Sequence, residues 1–187
     1  MEKIDEKGDA YILHQPMEPI GEEDPGPGAL HSKMSEKDVE HILKENLKEM
    51  PDARGINNHM GSKATTNQKL MKSVLNTTKE EGLFYLDSKT TSDSVVREIA
   101  KEERVDFTER HVFLDNESSK EYIREALEEA KTVADLNGYA VLIGHIWSRE
   151  LYEVLEDHYP SLRREGFAFE YITDLFHKEA ADAGSGG

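Results

Sequence analysis

Apolar residues in this chain follow two rhythms that alternate along its length. Short, nearly continuous apolar runs occur at AYILHQPMEP (10–19), RGINNHMGS (54–62), GLFYLDSKT (82–90), HVFLDN (111–116), AVLIGH (140–145) and FAFEYITD (167–174). Between them, apolar residues return every three or four positions. The short runs predict strands that are covered on both faces, as in a parallel sheet. The spaced stretches predict amphipathic helices over about 36–49, 67–81, 92–103, 119–136 and 148–157. Ser35 and Asp38 form a capping box at the first of these, which presents Val39, Ile42, Leu43 and Leu47. Thr65-x-x-Gln68 opens the second and Gly82 stops it, while Ser118-x-x-Glu121 opens the fourth and Gly138 ends it.

Strict alternation of strand and helix with short connections implies right-handed crossovers and a closed or nearly closed barrel. The first strand, at about 10–14, is followed by the long proline- and glycine-rich loop PMEPIGEEDPGPGALHSK, and loops of this length inside a domain are usually functional. One domain is expected over residues 1–178, with a small polar tail at 179–187. EKIDEKGD (2–9) reads as the end of a helix closed at Gly8, which implies an element before the first strand.

Composition narrows the partners. The chain has 187 residues, 39 acidic against 23 basic, and a net charge of −16. Such a surface repels nucleic acid and anionic membranes. No apolar run approaches the ~20 residues needed to span a bilayer. Cysteine is absent, so disulfides, thiolate metal sites and a cysteine nucleophile are excluded, and any metal must be held by His, Asp or Glu.

The chemistry lies where the apolar runs end. In parallel α/β proteins the C-terminal strand ends share one side, so His14, His59, Asp87, Asp115 and His145 are expected to converge there. His14 precedes Glu18 in HQPMEP and is either a metal ligand or a hydrogen-bonded structural histidine. His59 lies in GINNHMGS, where it can ligate a metal while Asn57 or Asn58 binds substrate; the alternative is a turn held by local hydrogen bonds. Asp87 ends an apolar strand and can orient a histidine, bind metal or accept a hydroxyl, or else cap the backbone that follows. Asp115, with Asn116 and Ser118 nearby, reads as a helix cap. His145 follows four apolar residues and a glycine, well placed to move a proton. His31, His41, His111, His158 and His177 read as surface residues.

Together, HQPMEP (14–19), DPGPGAL (24–30), GINNHMGSKAT (55–65), LFYLDSKTT (83–91), VFLDN (112–116) and AVLIGH (140–145) resemble the divergent polysaccharide deacetylase family, in family order. The resemblance covers about residues 8–176. It implies an α/β fold, a distorted (β/α) barrel of the polysaccharide deacetylase type. The larger superfamily uses an Asp-His-His zinc site, an aspartate base and a late histidine acid. By that resemblance His14 matches the first histidine ligand, Glu18 falls where the second would be, and His59 is its replacement. Zn2+ or another divalent metal is the implied cofactor, and an acetylated polysaccharide the implied substrate. His145 matches the acid, with Asp87 as a further catalytic candidate and Asn57, Asn58 and Glu18 toward substrate. The family opens with an Asp-Asp-x-Gly strand end. Here Asp5 and Asp9 follow no apolar strand, so the first βαβ portion is expected to be missing. Family members look extracytoplasmic. A non-catalytic carbohydrate-binding or regulatory domain is the alternative, and a hydrolase of esters or glycosides using Glu18 and Asp87 is a second.

Overall fold

Each apolar run that pairs does so in parallel with the next one along the chain. The structure, a computed structural model, describes residues 10–176. Strands β1 (Leu13–Met17), β2 (Gly55–Met60), β3 (Phe84–Asp87) and β4 (Phe107–Glu109) form a parallel sheet in that order. Helices α1 (Glu36–Lys48), α2 (Gln68–Glu80) and α3 (Val96–Glu103) connect them. A second, two-stranded parallel sheet joins β5 (Val112–Phe113) to β6 (Leu142–Ile143), with helices α4 (Lys120–Asn137) and α5 (Arg149–Glu165). These elements fall into two compact units, one up to Glu109 and one from Arg110. The α/β class with parallel strands is as expected. The helix end read at 2–9, Asp5, Asp9, His177 and the tail at 179–187 lie outside the described residues.

In the first unit, one sheet face carries Leu13, Met17, Ile56 and Tyr85 against Val39 and Leu43 of α1, Leu70 to Leu75 of α2, and Val96 and Ile99 of α3. Burying each such side chain contributes about 1.5–3 kcal/mol. In the second unit Val112 and Leu114 pack on Ile123 and Leu127 of α4 and on Leu151 and Val154 of α5.

Helix ends follow side-chain chemistry, with shifts of one or two residues from the expected caps. The Ser35–Asp38 capping box is present. At α2 the cap is Asn67, whose side chain accepts from Leu70 N, because Thr65 is taken up in a preceding 3-10 turn. At α4 the cap is Ser119 rather than Ser118. Helix α5 continues through Pro160 to Gly166, well past the expected end near 157, because Leu162 is buried in the core.

Two strand assignments differ from expectation. Phe107–Glu109 was not among the apolar runs; three residues with a single large apolar side chain carry too little pattern. Residues 167–174 form no strand, but irregular backbone that turns helical at 173–176. Phe169 and Tyr171 stay about half exposed, so the run lacks a covered face.

Candidate functional site

Strand register decides which polar residues meet. His14 is aligned with Asn57 and Asn57 with Leu86, while Pro16 is aligned with His59. Aligned residues of a parallel pair share a face, and neighbours along a strand alternate. His14, Asn57, His59 and Leu86 therefore lie on the face opposite the Leu13–Ile56–Tyr85 core. The two imidazoles meet there: His14 Nε2 is 3.1 Å from His59 Nδ1, with ring centroids 4.9 Å apart. Asp87 falls one position out of step, but the next residue, Ser88, is back in step and reaches Asn57.

A chain of hydrogen bonds fixes the state of His14. Ser88 Oγ donates to the Asn58 carbonyl at 2.8 Å, so it accepts the Asn57 Nδ2–H at 3.1 Å. That orients the Asn57 amide with Oδ1 toward His14 Nδ1, at 2.9 Å. An amide oxygen only accepts, so His14 carries its proton on Nδ1 and presents a lone pair at Nε2 toward His59. Ser88 was not among the expected site residues; its signal was its parity with Phe84 and Leu86. Replacing Ser88 with alanine releases the amide of Asn57, and any metal held by the histidine pair would then be expected to bind about 10–100-fold more weakly. A zinc titration of Ser88→Ala against Ser88→Thr checks this, since threonine keeps the hydroxyl.

Strained backbone flanks the pair. Met60 and Lys89, which directly follow His59 and Ser88, have φ of 53° and 47°, and Gly61 has 86°. Left-handed non-glycine residues persist only where their surroundings hold them, and they concentrate at functional sites. Here the Met60 carbonyl is held by Asn58 Nδ2 at 2.8 Å and by the Thr90 hydroxyl at 2.9 Å. All four side-chain groups of Asn57 and Asn58 thus make bonds within the protein.

Asp87 and Glu18 do not join the histidine pair. The buried Asp87 carboxylate accepts from Lys89 N at 2.8 Å and from the Ser94 hydroxyl at 2.6 Å. Burial pushes its pKa up, and the nearby Glu109 adds to this. It builds the loop after β3. Glu18 ties two loops together: it accepts from Ser32 N and from Lys63 Nζ, both at 2.7 Å. Partial burial raises the Glu18 pKa, but the bonds from Lys63 and Ser32 outweigh it and hold the group down to about 2. A carboxylate depressed in the folded state stabilises the fold above its unfolded pKa, and that stability is lost as pH falls through the folded value. Between pH ~4.5 and ~2 the chain is therefore expected to lose about 1–2 kcal/mol from this group, discounted for screening around the exposed Lys63. Acid titration of the melting temperature should show a shallower loss in Glu18→Gln.

The second unit holds its own pair at the ends of β5 and β6. Asp115 Oδ2 accepts the His145 backbone N–H at 2.9 Å, and Oδ1 lies 3.1 Å from His145 Nδ1. The Asp115 side chain is 3% exposed and the imidazole 36%. Asp115, expected as a helix cap, instead orients His145, because Ser119 has taken the capping role. The ring lies against Phe113, at 5.4 Å between centroids, and stacks on Trp147 at 4.5 Å.

Over residues 1–176 the sequence matches the family model described as divergent polysaccharide deacetylase. The chain belongs to this family. An uncharacterized protein of Haemophilus influenzae is 36% identical over 139 residues, 74% of this chain and 50% of that protein. The uncharacterized protein YibQ of Escherichia coli K12 is 33% identical over 143 residues, 76% of this chain and 45% of that protein. The chain thus spans about half the length of these curated relatives. The crystal structure of the uncharacterized protein ATU2773 of Agrobacterium tumefaciens C58 superposes with a TM-score of 0.88 at 22% identity, covering 94% of this chain and 72% of that one. That likeness shows the fold.

For a divergent polysaccharide deacetylase the first question is whether these residues suit a metal. Among the described residues no group of three or more His, Asp or Glu is placed to hold one. The histidine pair fits two positions. Nitrogens of a tetrahedral zinc site lie about 3.3 Å apart, given Zn–N bonds of ~2.0–2.1 Å. The observed 3.1 Å between His14 Nε2 and His59 Nδ1 is close to this. Asn57 supplies the outer hydrogen bond that ligating histidines need.

Proposed function

We propose that this chain is the histidine-bearing part of a metal-dependent hydrolase that removes N- or O-acetyl groups from a polysaccharide. The observation that carries the reading is the His14–His59 pair, whose facing nitrogens are 3.1 Å apart with the His14 tautomer set by Asn57. Without an ion His14 Nε2 accepts the His59 Nδ1–H, and a cation would take the place of that proton between the same two nitrogens. His14 and His59 would hold Zn2+ or a similar ion, which when bound supplies Lewis acidity toward the acetyl carbonyl and toward water. In the second unit His145 is the candidate to give a proton to a departing amine or alkoxide, and Asp115 keeps its ring in place. Asn57, Asn58 and Ser88 position the first histidine, while Glu18 and Asp87 brace the loops around the strand ends. The reading places the full-length protein outside the cytoplasm, where its polymer substrate is met.

Acetate release from a panel of N- and O-acetylated oligosaccharides tests the proposal, using the full chain with and without added zinc. Zinc-dependent release that a chelator removes supports it. Absence of release from every substrate, with saturable binding of the same sugars, favours a carbohydrate-binding domain on the deacetylase scaffold. That second reading is favoured by one observation: among the described residues no third His, Asp or Glu is grouped with the histidine pair.

A further inference from the structure

Trp147 is the single tryptophan of the chain and is 78% exposed. One face of its indole lies on His145, with centroids 4.5 Å apart and planes at 26°. The turn that carries it is braced. The His145 carbonyl accepts Ser148 N–H at 3.0 Å, and the Ser148 hydroxyl accepts from Leu151 N at 3.3 Å to cap α5. Gly144 sits so close to this helix that a Cβ there would stand 2.4 Å from Leu151 Cδ2. A large aromatic ring is thus held in water at a fixed position beside a candidate proton donor, although burying it would be favourable.

We propose that Trp147 is a carbohydrate-binding platform on which a pyranose ring of the polymer stacks, one unit along the chain from the unit that reacts. The proposal rests on the polysaccharide reading above. The indole face turned from His145 is flat and open, and suits the C–H face of a sugar ring, whose hydroxyls remain at the edges in water. The indole Nε1–H is available at the ring edge to donate to one of them. Because the indole separates this face from His145, the sugar it holds is a neighbour of the reacting unit, not that unit itself. A lipid or an apolar peptide would need a wider greasy surface. Ile146 beside the indole is exposed as well, but the charged Arg149 and Glu150 that follow keep this apolar surface to two adjacent side chains of the turn. The consequence is a preference for oligomers over single sugars.

The single tryptophan makes the test direct. Emission of the full chain is followed during titration with a tetramer of β-linked N-acetylhexosamine and, separately, with the monosaccharide. Expected is a saturable spectral change with the tetramer and at least tenfold weaker binding of the monosaccharide. By calorimetry, Trp147→Ala should lose at least tenfold in tetramer affinity and Trp147→Phe should recover part of it, with circular dichroism unchanged in both. An unchanged spectrum with the tetramer, or equal tetramer affinity in Trp147→Ala, overturns the platform. Acetate release is scored in parallel. Binding that depends on Trp147 without release upholds the platform and removes the deacetylase reading. Release that is indifferent to Trp147 does the reverse.

Discussion

The double variant His14→Ala/His59→Ala is expected to lose zinc altogether, where the parent chain retains close to one ion per molecule. Each imidazole supplies one of the two nitrogens in the 3.1 Å pair, and no other described His, Asp or Glu is grouped with them. Affinity should fall by roughly 10³-fold or more, since this position would then offer the ion neither of its two imidazole nitrogens. The fold should survive, because the pair lies on the sheet face opposite the apolar core. Removing His14 leaves Asn57 Oδ1 without its donor, a cost of about 1 kcal/mol. Metal analysis after dialysis gives the first readout. Thermal denaturation gives an independent one: zinc at 100 times its dissociation constant should stabilise the parent by about 2.7 kcal/mol and leave the variant unmoved. Equal zinc content in both proteins, or none in either, removes the metal reading.

Much of the fold was legible because parallel strands covered on both faces write themselves as continuous apolar runs. Leu13–Met17, Gly55–Met60 and Phe84–Asp87 each sit within an expected run. The exceptions share one cause, which is pairing without pattern or pattern without pairing. Phe107–Glu109 is a three-residue strand whose middle residue, Thr108, is buried by its neighbours and not by its own hydrophobicity. FAFEYITD alternates like a strand yet pairs with no strand among the described residues, and its aromatic side chains stay partly in water. Caps moved because several adjacent residues could serve equally: Ser118 and Ser119 differ only in which one the backbone leaves extended.

For the site, residue type was legible and partnership was not. His14, His59 and Asn57 were visible as candidates, and register brings them together. Asp87 looked catalytic because a carboxylate ends an apolar strand. Side-chain alternation instead places Ser88 beside Asn57, and Asp87 bonds to Ser94 and Lys89. Which residue of the pair Asp87–Ser88 faces the histidines depends on strand phase, and a slip of one reverses it. Glu18 was read as facing substrate, but its carboxylate joins Ser32 and Lys63, contacts across 14 and 45 residues that no local pattern announces. Asp115 was read as a cap because acidic and hydroxyl residues before a helix usually are. Its partner, His145, lies 30 residues further on.

That partnership carries the second large expected effect. Asp115→Asn should lower kcat for acetate release about 10²–10³-fold with little change in KM. In the parent, the two carboxylate oxygens receive the His145 backbone N–H and face His145 Nδ1. A carboxylate only accepts, so the imidazole is held with its proton on Nδ1, leaving Nε2 as the second ring nitrogen. An asparagine of the same shape must keep its oxygen for the backbone N–H. It then turns its NH2 toward Nδ1, which forces the ring proton to Nε2. Geometry survives, while the ring proton moves from Nδ1 to Nε2. His145→Gln should be as severe, and the double variant no worse than either single change, since the two residues act as one unit. Imidazole 15N shifts read the tautomer without any substrate: Nδ1–H in the parent, Nε2–H in Asp115→Asn. If the tautomer switches but kcat holds, His145 is not the proton donor. If neither changes, the Asp115 carboxylate does not govern the ring at all.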